Sequence, residues 1–240
     1  MLFRSMLPSG EVTDDILQKI SPLLSKNDLV VDGANAFYKD SVRRAGDLQK
    51  HGVHFMDIGV SGGPSGARGG ACLMIGGEKA DVNRLAPIIE AAAAPGAWAH
   101  LGAVGAGHFA KMVHNGVEYG MMQAIAEGAA VLEKSAYAYD LAKVFHLYNQ
   151  QSVITSRLVG WAENALKSDP ELISISSTIS HTGEGEWTVK TARELDVDVP
   201  IIAESLEVRK RSKDEPENFR NKVVSALRGQ FGGHSVGRSS

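Results

Sequence analysis

Lys111, Asn115 and Glu118 fall at i, i+4 and i+7 of the segment Gly105-Ala106-Gly107-His108-Phe109-Ala110-Lys111-Met112-Val113-His114-Asn115-Gly116-Val117-Glu118-Tyr119. On an α-helix that spacing puts the three on one face, with His114 at its border. At ~1.5 Å per residue, Lys111 and Glu118 stand about 10.5 Å apart along the axis. An amine and a carboxyl group so placed can flank a ligand several carbons long and serve it as base and acid. The same spacing is that of an ordinary solvated stripe, and on spacing alone that plainer reading fits better.

Two further segments are chemically suggestive. Val60-Ser61-Gly62-Gly63-Pro64-Ser65-Gly66-Ala67-Arg68-Gly69-Gly70 follows an apolar run directly. Backbone left bare by glycines, with the Ser61 hydroxyl beside it, can approach an oxyanion or a sugar hydroxyl. A plain crossover loop explains the same glycines equally well. The segment is not a G-x-G-x-x-G fingerprint opening a helix, so it is not read as a dinucleotide loop. Asp32-Gly33-Ala34-Asn35 is the second segment. It lies at the carboxyl end of an expected strand, where open α/β sheets place ligands. An Asn in a turn is more often just a turn former.

These residues need a frame. Leu29-Val30-Val31-Asp32, Val53-His54-Phe55-Met56-Asp57-Ile58 and Ala71-Cys72-Leu73-Met74-Ile75 read as buried strands. Helical spacing surrounds them: Ile16 to Leu24, Ser41 to His51, and Arg84 to Ala94 up to the stop at Pro95-Gly96. Strand alternating with helix indicates an α/β layer. From His108 onward the pattern is helical throughout: His108 to Lys134, Leu141 to Leu166, Glu186 to Leu195 and Ile201 to Arg211. The expected domains are residues 6–106, α/β, and 107–240, all-helical with a Gly/Ser-rich tail. The α/β part opens on Met6-Leu7-Pro8-Ser9-Gly10, which reads as a strand end and turn with no βαβ unit before it. The first five residues are expected to be an artefact, since Leu2-Phe3-Arg4-Ser5 reads like a translated sequencing adapter, and the frame is expected to be truncated.

Composition excludes little. The 240 residues are 43% hydrophobic and 22% charged, with a net charge of −3, so no basic field argues for nucleic acid or an anionic membrane. The single cysteine, Cys72, excludes an intramolecular disulfide and fits a reducing cytoplasm. No apolar run approaches the ~20 residues of a membrane span, and no metal ligand set is read.

Taken together the motifs resemble one family. Asp32-Gly33-Ala34-Asn35, the Val60-Ser61-Gly62-Gly63 loop with Gly66-Ala67, and Lys111-Met112-Val113-His114-Asn115-Gly116-x-Glu118-Tyr119 are similar to the 6-phosphogluconate dehydrogenases, within the β-hydroxyacid dehydrogenases. Relatives acting on 3-hydroxyisobutyrate share the Ser-Gly-Gly loop and the Lys-x-x-x-Asn helix, but are not expected to share His114 or Glu118-Tyr119. The likeness continues through Gly183-Glu184-Gly185-Glu186-Trp187-Thr188, through Arg209, and through Arg228-Gly229-Gln230-Phe231-Gly232-Gly233-His234. Its short C-terminal region is similar to the compact bacterial form, which is often NAD-dependent.

The resemblance implies a Rossmann-like layer lacking its first βαβ unit, followed by a helical substrate and dimerisation domain. It implies a cytoplasmic enzyme of the pentose phosphate pathway, working in gluconate utilization as a homodimer or homotetramer. The reaction is oxidative decarboxylation of 6-phosphogluconate to ribulose 5-phosphate with NAD or NADP, NAD being slightly favoured. Lys111 would be the base at the 3-hydroxyl and Glu118 the acid at the enediol. Asn35, Ser61, Gly62, Gly63, His114 and Asn115 would orient the carboxylate and hydroxyls. Thr188 falls in the substrate loop. Tyr119, Arg209 and, from a neighbouring subunit, Arg228 and His234 would hold the phosphate. Leu7, Pro8, Ser9 and Asn35 remain as cofactor contacts. Glu186 stands where the family has a basic residue and is left out of the site, since a carboxylate there would repel phosphate. The chain alone is expected to be inactive in the full reaction. The alternatives are a related hydroxyacid dehydrogenase or a non-catalytic sugar-phosphate-binding module.

Overall fold

The computed structural model describes residues 1–180 and 183–230. They form two compact units, Met1–His114 and Asn115–Ser240. The dividing point lies inside one continuous helix, Ala106–Lys134.

The first unit is a five-stranded sheet in the order β1 (Leu2–Ser5), β2 (Leu29–Asp32), β3 (His54–Ser61), β4 (Ala71–Gly76), β5 (Ala93–Gly102). The first three strands run parallel, β4 turns antiparallel to β3, and β5 runs parallel to β4. Alternation along the strands feeds two cores, one on each face. Val30, Val53 and Phe55 pack with Leu17 of α1 (Glu11–Ile20) and Leu48 of α2 (Tyr38–Gln49). Leu29, Val31, Met56, Leu73 and Ile75 pack with Val82, Leu85 and Ile89 of α4 (Lys79–Ala92). The expected α/β layer is therefore present, as a mixed sheet.

Three local outcomes differ from the sequence reading. Leu2–Ser5, set apart there, pair in register with Leu29–Asp32 as the edge strand β1. β5 was not expected; its Ala-Ala-Pro-Gly start has poor strand propensity, and an edge position tolerates a proline that a central strand would not. The Ser-Gly-Gly loop folds into a short helix, α3 (Gly63–Gly69). Gly62 and Gly63 enter it with φ of 139° and 57°, a region glycine reaches without strain.

The second unit is helical: the rest of α5 (Ala106–Lys134), then α6 (Leu141–Tyr148), α7 (Arg157–Ser168), α8 (Glu184–Glu194), α9 (Pro200–Arg211) and α10 (Phe219–Gln230). The long helix is the one expected from His108 to Lys134. The stretch read as one helix from Leu141 to Leu166 is broken at residues 149–156. There Gln151 takes φ 56°, and the Ser156 hydroxyl accepts the Val159 N–H at 3.2 Å, capping a new helix. The main core joins Met122, Ala126 and Ala129 of α5 to Phe145, Val159, Leu166, Val223 and Leu227. Among the described residues no helix is long and apolar enough to cross a membrane.

Candidate active-site residues

In the first unit, β3 and the start of α5 bring three of the expected site residues together. Asp57, Gly59 and Ser61 alternate along β3 and therefore share a face. Four strand residues at ~3.3 Å and nine helix residues at ~1.5 Å both cover about 13 Å. The opening of α5 can thus track the strand from residue 57 to 61. Asp57 is fully buried, and its carboxyl oxygens accept the N–H groups of Gly105 and His108, each at 2.7 Å. At Gly59 any side chain would collide with the Lys111 stem and the Gly107 carbonyl. The Ser61 hydroxyl lies 3.2 Å from His114 Nε2, and Lys111 Nζ lies 3.5 Å from His114 Nδ1.

His114 thus bridges a hydroxyl and an amine through opposite ring nitrogens. With Lys111 as an ammonium, Nδ1 accepts and Nε2–H donates to Ser61. With Lys111 as a neutral amine, the ring and the hydroxyl can reverse those roles. The imidazole therefore suits either protonation state of Lys111. Lys111 is 5% exposed, a depth at which a lysine belongs to a built site rather than a solvated stripe.

The loops at the carboxyl ends of the parallel strands β1 and β2, residues 6–10 and 33–37, carry the expected cofactor contacts Leu7, Pro8, Ser9 and Asn35. Pro8, Ser9 and Asn35 are exposed there. At the end of β1 the buried Ser5 hydroxyl has no hydrogen-bond partner among the described residues, which fits a polar ligand at this edge.

The second unit gathers another set. Tyr119, 5% exposed, lies under the Arg209 guanidinium, whose Cζ is 3.4 Å from the ring centroid. Arg209 is 2% exposed, and its Nη2 meets the weak acceptor Met122 Sδ at 3.4 Å. Tyr119 Oη and Arg209 Nη1 are buried without a hydrogen-bond partner among the described residues. Burial pulls the Arg209 guanidinium down to about 10, with the neighbouring Arg228 adding to the fall while Tyr119, Glu118 and Glu184 oppose it. It still carries its charge at neutral pH. Burial likewise pushes the Tyr119 phenol up, so it stays a neutral donor.

Thr188 is buried, its hydroxyl donating to the Glu184 carbonyl at 3.0 Å, and it packs where a side chain on Gly116 would be. Gly185 lets the Tyr119 ring lie against α8. Arg228, which the resemblance draws from a neighbouring subunit, sits in this chain on α10, with Nη2 3.4 Å from Ser180 Oγ. Asn115 is buried on α5, Glu118 is half-buried, and Glu186 is exposed on α8. His234 lies outside the described residues. Sequence reasoning missed Asp57. The signal for Asp57 was an acidic residue within an apolar strand, which must find donors to be buried.

Residues 2–105 match the NAD binding domain of 6-phosphogluconate dehydrogenase, and residues 107–238 match the 6-phosphogluconate dehydrogenase C-terminal domain. YqeC of Bacillus subtilis is 44% identical over 231 residues, covering 96% of this chain and 77% of that protein. An NAD(+)-dependent, decarboxylating 6-phosphogluconate dehydrogenase of Haloferax volcanii is 38% identical over 235 residues, 97% of this chain and 77% of that protein. Among solved structures, the 6-phosphogluconate dehydrogenase of Plasmodium falciparum superposes with a TM-score of 0.78 at 31% identity. The match covers 88% of this chain and 48% of that one. A 3-hydroxyisobutyrate dehydrogenase of Mycobacterium tuberculosis, with a TM-score of 0.71 at 22% identity over 95% of this chain and 79% of that one, shares the fold.

Proposed function

Because this chain belongs to the 6-phosphogluconate dehydrogenase family, we propose that it holds the sugar-phosphate-binding and acid–base groups for oxidative decarboxylation of 6-phosphogluconate to ribulose 5-phosphate and CO2. The observation that carries this reading is the pair of buried polar atoms on Tyr119 and Arg209 without partners among the described residues, with Arg228 near enough to act on Arg209. A phenol hydroxyl and a guanidinium with a spare N–H match the oxygens of a phosphate. Leaving such atoms buried and unsatisfied costs free energy that a bound anion would recover.

Leu7, Pro8, Ser9 and Asn35 would hold NAD or NADP, which would supply a hydride acceptor for C3 of the sugar acid. Lys111 takes the proton of the 3-hydroxyl, and as an ammonium then holds the C3 oxygen while the C1 carboxylate departs as CO2. Glu118 delivers a proton to the carbon that becomes C1 of ribulose 5-phosphate. Ser61, Gly62, Gly63, Asn35, His114 and Asn115 orient the carboxylate and hydroxyls. Ser61 and His114 already form one chain of contacts with Lys111. Thr188, Tyr119, Arg209, Arg228 and His234 serve the phosphate end.

Calorimetric titration tests the binding half. 6-Phosphogluconate should bind far more tightly than gluconate, because hydrogen bonds to a charged group contribute about 1.5–3 kcal/mol each. Equal affinity for the two would favour a hydroxyacid enzyme without a phosphate site. The pH dependence has a defined sign. Affinity should fall below roughly pH 6, where a phosphate monoester loses its second charge. It should be level through neutrality and fall again as pH rises through about 10, where Arg209 loses its proton.

The protein is also proposed to be a homodimer. Of the apolar residues Met121, Ile125, Ala129 and Leu132, which recur along α5, Ala129 is spent in the intramolecular core, but Met121 is 42% exposed. It lines an apolar groove of about 690 Å³ with Ile125, Val131, Val153 and Ile154. A second copy is the occupant expected of such a surface. Sedimentation should give a dimer mass, and a monomer mass at all concentrations would contradict it.

A further inference from the structure

We infer that Asp57 is a positioning residue for Lys111, fixing the register of α5 along β3; this rests on the proposed role of Lys111 as the base. The helix carrying Lys111 is attached to the sheet at its first turn by the Asp57 carboxyl group. One oxygen accepts from Gly105 and the other from His108, both at 2.7 Å. These are donors that the start of a helix leaves without intrahelical partners, so the carboxyl group satisfies them and sits at the positive end of the helix dipole.

The surroundings are closely packed. A side chain at Gly76 would come within 2.5 Å of Asp57 Oδ1 and 2.8 Å of the Ala103 carbonyl and the Gly107 nitrogen. At Gly107 it would strike the Met74 and Asp57 carbonyls. Three glycines, 59, 76 and 107, thus allow backbone-to-backbone approach, and Asp57 sets where along β3 that approach locks. A second tie acts on the same turn, since Ser41 of α2 meets His108 Nδ1 at 2.7 Å. The face that holds Asp57 goes on to Gly59 against the Lys111 stem and Ser61 against His114. A slip of the helix at Asp57 therefore moves the amine relative to the serine loop. A displacement of about 1 Å at a reacting group can cost ~10²-fold in rate.

The test needs no nicotinamide. In D2O the acid–base pair should exchange the C1 protons of ribulose 5-phosphate through the enediol. Glu118 removes a C1 proton and Lys111 protonates the C2 oxygen; Glu118 trades its proton for a deuteron from solvent, and the reverse steps deliver that deuteron to C1 and return the C2 oxygen's proton to Lys111. The loss of the C1 proton signal gives the rate by NMR, and calorimetry gives the affinity.

Asp57→Asn keeps the shape but turns one acceptor into a donor facing an N–H, while Asp57→Ala removes both acceptors. The exchange rate of folded Asp57→Asn should fall ~10- to 10²-fold with affinity for ribulose 5-phosphate unchanged, and Asp57→Ala should fall further. If Asp57→Ala does not fold, Asp57→Asn decides. A purely structural role would lower the melting temperature and leave the rate of the folded protein intact. Wild-type exchange in folded Asp57→Asn, or affinity falling in step with rate, would overturn the inference. If instead Lys111→Met exchanges as fast as wild type, or the wild type does not exchange, the proposed role of Lys111 is what fails.

Discussion

Lys111→Met should slow C1 deuterium exchange of ribulose 5-phosphate by ~10²–10⁴-fold, the usual cost of losing a positioned acid or base. Methionine keeps an unbranched stem of similar length, so the packing against Gly59 survives and only the amine is lost. Affinity should persist, because the substitution does not touch the groups proposed to hold the phosphate. The contact with His114 Nδ1 at 3.5 Å disappears, while Ser61 still meets the ring at Nε2. Glu118→Gln should depress the same rate, since its carboxyl group is the proposed proton carrier at carbon. A Glu118→Gln protein that lost affinity alone would not fit the assigned role. Lys111→Met at near-wild-type rate would remove the base from the account.

The second large effect is expected at the buried guanidinium. Arg209→Met should weaken 6-phosphogluconate binding by roughly 10- to 150-fold, the equivalent of the 1.5–3 kcal/mol of a charge-assisted hydrogen bond. Its effect on folding should be small or favourable. A buried cation with an unpartnered N–H is replaced by an apolar chain that can pack on Met122 and the Tyr119 ring. Tyr119→Phe should show the same separation in milder form. The hydroxyl has no partner among the described residues, so its removal should not lower the melting temperature, yet ligand affinity should drop. Thermal melts with and without 6-phosphogluconate would measure both quantities. Loss of stability without loss of affinity, in either variant, would assign these residues to the core instead of the site.

The elements that position these groups differ in how plainly the sequence shows them. β2 and β3 are legible because Leu29-Val30-Val31 and Phe55-Met56 are continuous apolar runs buried on both faces, and β4 because Leu73-Met74-Ile75 is an apolar run that buries Leu73 and Ile75. The long helix is legible because no proline interrupts Ala106–Lys134. β5 is not, because Ala93-Ala94-Pro95-Gly96 carries no strand pattern and gains its place only by pairing beside β4. α10 is hidden for another reason: its Arg228 was read as part of a tail reaching elsewhere, whereas Phe219–Gln230 buries Val223, Val224 and Leu227 in the helical core.

The site shows the same division. Lys111, Asn115 and Glu118 are related by a local period, so their common helix can be read from spacing alone. Ser61 and His114 meet only because β3 and α5 lie side by side, and no local pattern contains that fact. Asp57 is harder still, since its role is to hold two backbone N–H groups far along the chain, and backbone has no residue-type signature.

The measurement that bears most directly on the central claim is C1 deuterium exchange of ribulose 5-phosphate by the unaltered chain, with no nicotinamide present. It isolates the proton chemistry assigned to Lys111 and Glu118 from hydride transfer. The account predicts steady loss of the C1 proton signal at catalytic amounts of protein, with the other carbon-bound protons retained. A chain shown by calorimetry to bind the sugar phosphate, yet leaving C1 unexchanged over the uncatalysed background, would contradict it.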